Sequence, residues 1–141
     1  MQIIGFNLTK ISIERKEQLT GNLKINQSID IKDVVKEKVP ISQDEALKMK
    51  FNFTIDYQED LAKAEFEGNL ILLPEKDELK NFLKEWKDKR VPAEVRIPLF
   101  NFIMNKCNIK ALALEDELNL PFHIPLPKVN PENTNKPENN K

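Results

Sequence analysis

Residues 91–113, VPAEVRIPLFNFIMNKCNIKALA, constrain this chain more than any other stretch. Plotted at about 100° per residue, their apolar side chains do not form a normal helical stripe. Val95, Ile97, Leu99, Phe100, Phe102, Ile103, Met104 and Cys107 sweep most of the circumference. The remainder is a narrow polar strip of Glu94, Asn101, Asn105 and Asn108, spaced to share one face. A surface helix needs little more than about 100° of apolar width, so this one calls for cover on two sides. A sheet of the same chain can supply one cover. The other requires a partner subunit or a bound ligand. The helix starts at Pro92 or at Pro98, and Pro98 either kinks it or marks its first turn.

The residues before it supply the sheet. Ile4, Phe6 and Leu8 alternate with small or polar neighbours, and Ile11 and Ile13 resume with the parity shifted by one. A strand over residues 3–14 with a bulge at Thr9–Lys10 accounts for the shift. Beyond a turn around Gly21, Leu23, Ile25, Ile29 and Ile31 form a second strand with one solvated face. From 34 to 45 the alternation breaks around Pro40, and the stretch reads as a crossover loop. Leu47, Met49, Phe51, Phe53, Ile55 and Tyr57 alternate without a miss, and Ala62, Ala64, Phe66, Leu70 and Leu72 continue on the way back. Strict alternation points to antiparallel pairing with one open face.

Pro74 reads as the start of a helix reaching Lys89, with Leu79, Phe82, Leu83 and Trp86 on one side and Lys84, Lys87 and Lys89 at its negative end. The Lys84-to-Arg90 run is read as that cationic end and not as a nucleic-acid patch, since its one aromatic residue, Trp86, belongs to the apolar side of the helix. After the main helix comes LNLPFHIPLP, residues 118–127, which its prolines keep extended. The whole is an α+β fold: a four-stranded antiparallel sheet with helices packed on one face. Residues 1–129 make one domain, and the Asn-, Pro-, Glu- and Lys-rich residues 130–141 read as a disordered tail.

Chemistry finds little footing. The 22 basic and 23 acidic residues nearly cancel, so the overall field gives no reason to expect nucleic acid as a partner. No apolar run approaches the roughly 20 residues a membrane span requires, and MQIIGFNLTK lacks the marks of a signal peptide. With one histidine, His123, and one cysteine, Cys107, a Cys–His pair is the sole nucleophilic option. Cys107 lies on the apolar arc, where inert core thiols are common, and a lone cysteine fits a reducing cytoplasm. Glu65 with Glu67 and Glu115 with Glu117 read as hydrated surface pairs. Three glycines cannot build a phosphate loop. The chain is expected to be no enzyme and to need no cofactor and no metal.

The order of elements resembles the SecB family of protein-export chaperones. The likeness rests on MQIIGFNLTKISIE with its Ile11-Ser12-Ile13-Glu14 ending, the amphipathic hairpin, the PLFNFIMNKC helix and the LNLPFHIPLP run. It covers residues 1–127. The resemblance implies a cytoplasmic, ATP-independent holdase that assembles as a dimer of dimers with helices between sheets and holds unfolded polypeptides. By analogy the client groove would take in Leu23 and Ile25, Phe100, Ile103 and Met104, and Leu120 and Phe122. The family's outer sheet face docks the translocation ATPase SecA through acidic residues, to which Glu14 and Glu65 correspond. Lys10 and Lys63 stand where an acidic and an apolar residue belong, which speaks against that docking. Asn101, Asn105 and Asn108 are expected to hydrogen-bond across a helix–helix contact between subunits. Two other readings stay open: an oligomeric carrier of a small apolar ligand, and a dedicated adaptor for one partner such as an antitoxin.

Overall fold

The computed structural model describes residues 1–19, 23–38 and 45–131. Strands β1 (Gln2–Arg15), β2 (Ile25–Lys38), β3 (Glu45–Tyr57) and β4 (Ala62–Leu73) are followed by helices α1 (Lys76–Trp86) and α2 (Ala93–Glu117). The strands form one antiparallel sheet in the order β1-β4-β3-β2, so β1 and β2 are its two edges. The expected turn at Gly21, Pro40 in the expected loop, and residues 132–141 of the expected tail lie outside the described residues.

The expected bulge in β1 is present between Leu8 and Lys10, and a second lies between Ile3 and Gly5. The Thr9 hydroxyl donates to the Glu67 carbonyl at 3.2 Å, fixing the extra residue against β4. One expectation is corrected: residues 34–38 are strand, not loop. A bulge between Ile31 and Asp33 flips the parity, so Val34 rejoins the core face opposite Met49. The alternation breaks in the sequence because the strand gains a residue, not because it ends.

The core lies on one sheet face. Met49, Phe51, Phe53, Ile55, Phe66, Leu70 and Leu72 are buried there, each worth about 1.5–3 kcal/mol relative to exposure. Gly68 is the small residue this layer needs. A β-carbon there would sit 2.2 Å from the Asn7 carbonyl oxygen and 3.0 Å from the Phe51 ring. The space it leaves lets Phe51 stack on Phe6 at 5.7 Å across β4. Phe102 of α2 then meets Phe6 edge-on at 5.8 Å, locking the helix to the β1 side.

Helix α1 begins later than Pro74 suggested. Glu75 is its N-cap residue, and the Glu78 carboxylate accepts the Glu75 backbone N–H at 2.9 Å. It ends at Trp86, where the Lys89 ammonium lies 4.9 Å over the indole ring. Helix α2 starts after Pro92 and contains Pro98 within its span. Its buried residues are Leu99, Ile103, Cys107, Ala111 and Glu115. Each step of four residues winds the stripe about 40° around the axis, or about 160° from first to last. A single winding ridge therefore accounts for much of the apolar sweep that projection onto a wheel spreads over the circumference.

Candidate functional site

Two places in the molecule hold side chains that the core does not need. The first is an apolar strip beside β2. Ile25, Ile29 and Ile31 point to the core face but stay half-buried, because cover by α2 runs out before the edge strand. Phe102 engages Phe6 on the β1 side, so helical periodicity turns Phe100 and Met104 the other way, toward β2. Both are half-buried, as is Leu23. Of the residues expected to line a groove, Leu23, Ile25, Phe100 and Met104 thus retain accessible apolar surface. Ile103 and Leu120 do not; both are buried in the core cluster, since each falls on the side facing the sheet. Phe122 is exposed. Ile29 and Ile31 join the strip although periodicity alone gave no reason to separate them from ordinary core.

The second place is a buried polar cluster at the C-terminal end of α2. Glu115 is fully buried, which corrects its reading as a hydrated surface residue. It occupies the next step of the ridge Leu99, Ile103, Cys107, Ala111. Its Oε1 accepts the His123 backbone N–H at 3.1 Å, and its Oε2 faces His123 Nδ1 at 2.7 Å. The other ring nitrogen, Nε2, meets Asn108 Oδ1 at 2.8 Å. Asn108 is therefore engaged within its own chain, unlike Asn101 and Asn105, which are exposed. The Tyr57 hydroxyl donates to the Pro121 carbonyl nearby. Burial and the adjacent Glu115 carboxylate push its phenol well above the ordinary range. At the β1 side, the Arg15 guanidinium donates from Nη1 to the carbonyls of Leu118 at 2.8 Å and Asn119 at 3.2 Å.

Neither place has the make-up of a reaction centre. Burial raises the Cys107 thiol to about 11, which leaves almost no thiolate near neutrality. His123 Nε2 is engaged by Asn108, and Nδ1 lies 2.7 Å from the Glu115 carboxylate without hydrogen-bond geometry. Among the described residues no group of three or more His, Cys, Asp or Glu could hold a metal ion, and no helix is long and apolar enough to cross a membrane. A cavity of about 200 Å³ lies between the starts of α1 and α2, with Asp77, Glu78 and Glu94 in its lining. It is smaller than the roughly 300–1,000 Å³ of ordinary ligand pockets, and its carboxylates do not suit a lipid.

The open sheet face carries Glu14 and Glu65. Glu14 pairs across the sheet with Lys63. Glu65 is bound by the Lys10 ammonium at 2.5 Å, with Lys63 at 3.8 Å. The Lys10 contact holds its carboxyl below the usual carboxylate range. This is a locally neutralised surface.

No protein-family model and no curated protein sequence matches this chain. A solved structure does: a SecB-like chaperone of Mycobacterium tuberculosis, in complex with a ChAD peptide from the HigA1 antitoxin. It is similar with a TM-score of 0.54 at 16% identity, over 92% of this chain and 89% of that one. The α+β fold is thus that of a SecB-like chaperone, with its four-stranded antiparallel sheet and helices on one face.

Proposed function

We propose that the protein is an ATP-independent holdase that binds unfolded or pre-secretory polypeptides as a cytoplasmic homo-oligomer. The observation that carries this reading is the half-exposed apolar strip of Ile25, Ile29 and Ile31 beside Phe100 and Met104, lying along an edge strand. An extended client laid there buries apolar side chains on the strip. It can add main-chain hydrogen bonds to β2, which read no particular sequence. The peptide held by the mycobacterial fold neighbour supports a polypeptide ligand. It also favours a second reading, a dedicated adaptor for one partner such as an antitoxin. The carrier of a small apolar ligand finds less support, because the cavity between α1 and α2 is small and Asp77, Glu78 and Glu94 share its lining with Met1, Phe82, Pro92 and Val95.

Assembly is part of the proposal. Ile97, Asn101, Asn105, Ile109 and Ala113 are exposed and form an uncharged ridge at four-residue spacing on α2. Ile97 and Ile109 are 68% and 72% exposed, a poor use of large side chains unless a second copy covers them. A dimer of dimers fits the resemblance. Delivery to a translocation ATPase is left out of the proposal, since lysines neutralise Glu65.

The test is suppression of aggregation of a chemically denatured client, with Ile29→Asp as the comparison. Suppression at stoichiometric amounts by the natural chain and its loss in the variant are expected. No suppression at several-fold excess would overturn the holdase. A pull-down yielding a single species would replace the general holdase with the adaptor.

A further inference from the structure

The apolar strip beside β2 is not electrically uniform along its length, and register and helix direction together locate its two ends. Phe6, Leu70, Met49 and Val34 lie in one row across the sheet, and Phe102 of α2 packs on Phe6. At the other end of the sheet the Tyr57 phenol faces Glu115. Helix α2 therefore runs from the Val34 end of β2 toward the Ile25 end. Arg96 precedes Phe100 by four residues, so it shares the β2 side of the helix. It falls about 9 Å earlier along the axis than Phe102, at the Val34 end.

That end is cationic. Past the bulge, alternation keeps Val34, Lys36 and Lys38 on the core side of the sheet, opposite Met49, Leu47 and Glu45. Both lysines are exposed. Asp33 and Glu37 alternate onto the open face, opposite Lys50 and Ala46, so their carboxylates do not offset the lysines on this side. One carboxylate does: Glu45 Oε2 lies 3.5 Å from Lys36 Nζ, with both side chains about half exposed. Lys38 has no ion-pair partner among the described residues. The Arg96 guanidinium donates to the Val91 carbonyl at 2.9 Å, which leaves its charge uncompensated. Glu94, two residues away, lines the cavity toward α1 instead. Near the other end the core-side residue between Ile25 and Ile29 is the uncharged Gln27. The whole chain carries a net charge of −1, so the positive excess at Lys36, Lys38 and Arg96 is local.

From this placement we propose that the strip ranks its clients by charge: Lys36, Lys38 and Arg96 form a cationic mouth that selects extended apolar segments bordered on one side by carboxylates. The proposal rests on the holdase reading and names the client class. A client strand laid along β2 sets its apolar side chains on Ile29, Ile31, Phe100 and Met104, and the residues that continue past Val34 meet the three cations. The lysines are exposed, so each new pair is a surface ion pair of modest strength, acting on the choice of client more than on total affinity. An apolar segment led by basic residues, as in a secretory signal peptide, gains nothing at the mouth and is repelled there in one of its two orientations.

The test uses the full chain and peptides that share one apolar core sequence but carry an acidic, a neutral or a basic flank, each labelled with an uncharged fluorophore and followed by anisotropy. The acidic-flanked peptide is expected to bind about three- to tenfold more tightly than the neutral one, and the basic-flanked peptide more weakly than both. The spread should collapse as ionic strength rises from about 0.05 M to about 0.5 M. Lys36→Gln combined with Lys38→Glu should reverse the order while the neutral peptide binds within about twofold of its natural affinity, since both side chains are exposed. Lys106→Gln removes a cation that lies over Phe102, on the β1 side of α2, and should leave the spread as it is. Equal binding of the three peptides, or a spread that the double variant leaves intact, would overturn the selection and leave the holdase standing. A spread lost equally in Lys106→Gln would trace it to overall charge and overturn the mouth. A natural chain that binds none of the three would overturn the holdase reading and the selection together.

Discussion

Glu115 and His123 face each other at 2.7 Å with both side chains shut off from water. A buried carboxylate is stable only while its partners are present, so breaking the pair from one side leaves an uncompensated polar group. His123→Ala is expected to lower the unfolding free energy by about 3 kcal/mol, measured by urea denaturation. Replacing both, as Glu115→Leu with His123→Leu, should recover much of that loss, because no unpaired charge remains. A double variant as unstable as the single would show that the site's packing, and not the pair, carries the energy.

Gly68 and Asn7 stand closer than any side chain allows. A β-carbon at residue 68 would meet the Asn7 carbonyl oxygen at 2.2 Å, and that oxygen is backbone, with little freedom to move. Gly68→Ala is expected to cost about 1–3 kcal/mol and to loosen the Phe6–Phe51 stack. The measurement is urea unfolding with near-ultraviolet circular dichroism; a shift within experimental error would mean that β1 and β4 can separate at no cost.

Much of this was legible in the chain. The parity break at Thr9–Lys10 announced a bulge, and the alternation from Leu47 to Tyr57 gave β3 and its face. The same rule failed beyond Ile31, because a bulge and a strand end look alike until the partner strand is known; Val34 pairs with Met49, 15 residues away. Glu115 was misread for a related reason. Glutamate beside Asp116 and Glu117 looks solvated, and only the i+4 ridge, which winds, places it inward. The strip beside β2 was half legible. Ile25, Phe100 and Met104 were recognisable, whereas burial of Ile103 and the partial exposure of Ile29 depend on where α2 crosses the sheet, which no local pattern encodes.

Tyr57 offers a clean titration, being the only tyrosine of the chain. Burial, then the Glu115 charge, raises its phenol above the ordinary value of about 10. The folded chain therefore holds this proton more tightly than the unfolded chain does. The stability it contributes is complete below pH ~10 and is lost as pH rises toward the folded value. Phenolate absorbance of the native protein should stay flat through pH ~10 and appear only with unfolding, each further pH unit costing up to about 1.4 kcal/mol. A reversible phenolate signal near pH ~10 in folded protein would mean that the hydroxyl is open to water.

Ile109 on the outer ridge of α2 separates assembly from folding. Its side chain is 72% exposed in the single chain, so Ile109→Asp removes no core contact and should change monomer stability by no more than about 0.5 kcal/mol. In an assembly that covers the ridge, the same carboxylate would be buried against its symmetry mate without a cation. Asn105→Lys applies the same strain one turn earlier with the opposite charge. Light scattering is expected to find the natural chain as an oligomer at micromolar concentration and both variants shifted to smaller species, with far-ultraviolet circular dichroism unchanged. An oligomer that survives both charges would place the contact on another surface. The sheet edge at β1 is then the next to test, because no strand among the described residues pairs with its outward backbone groups.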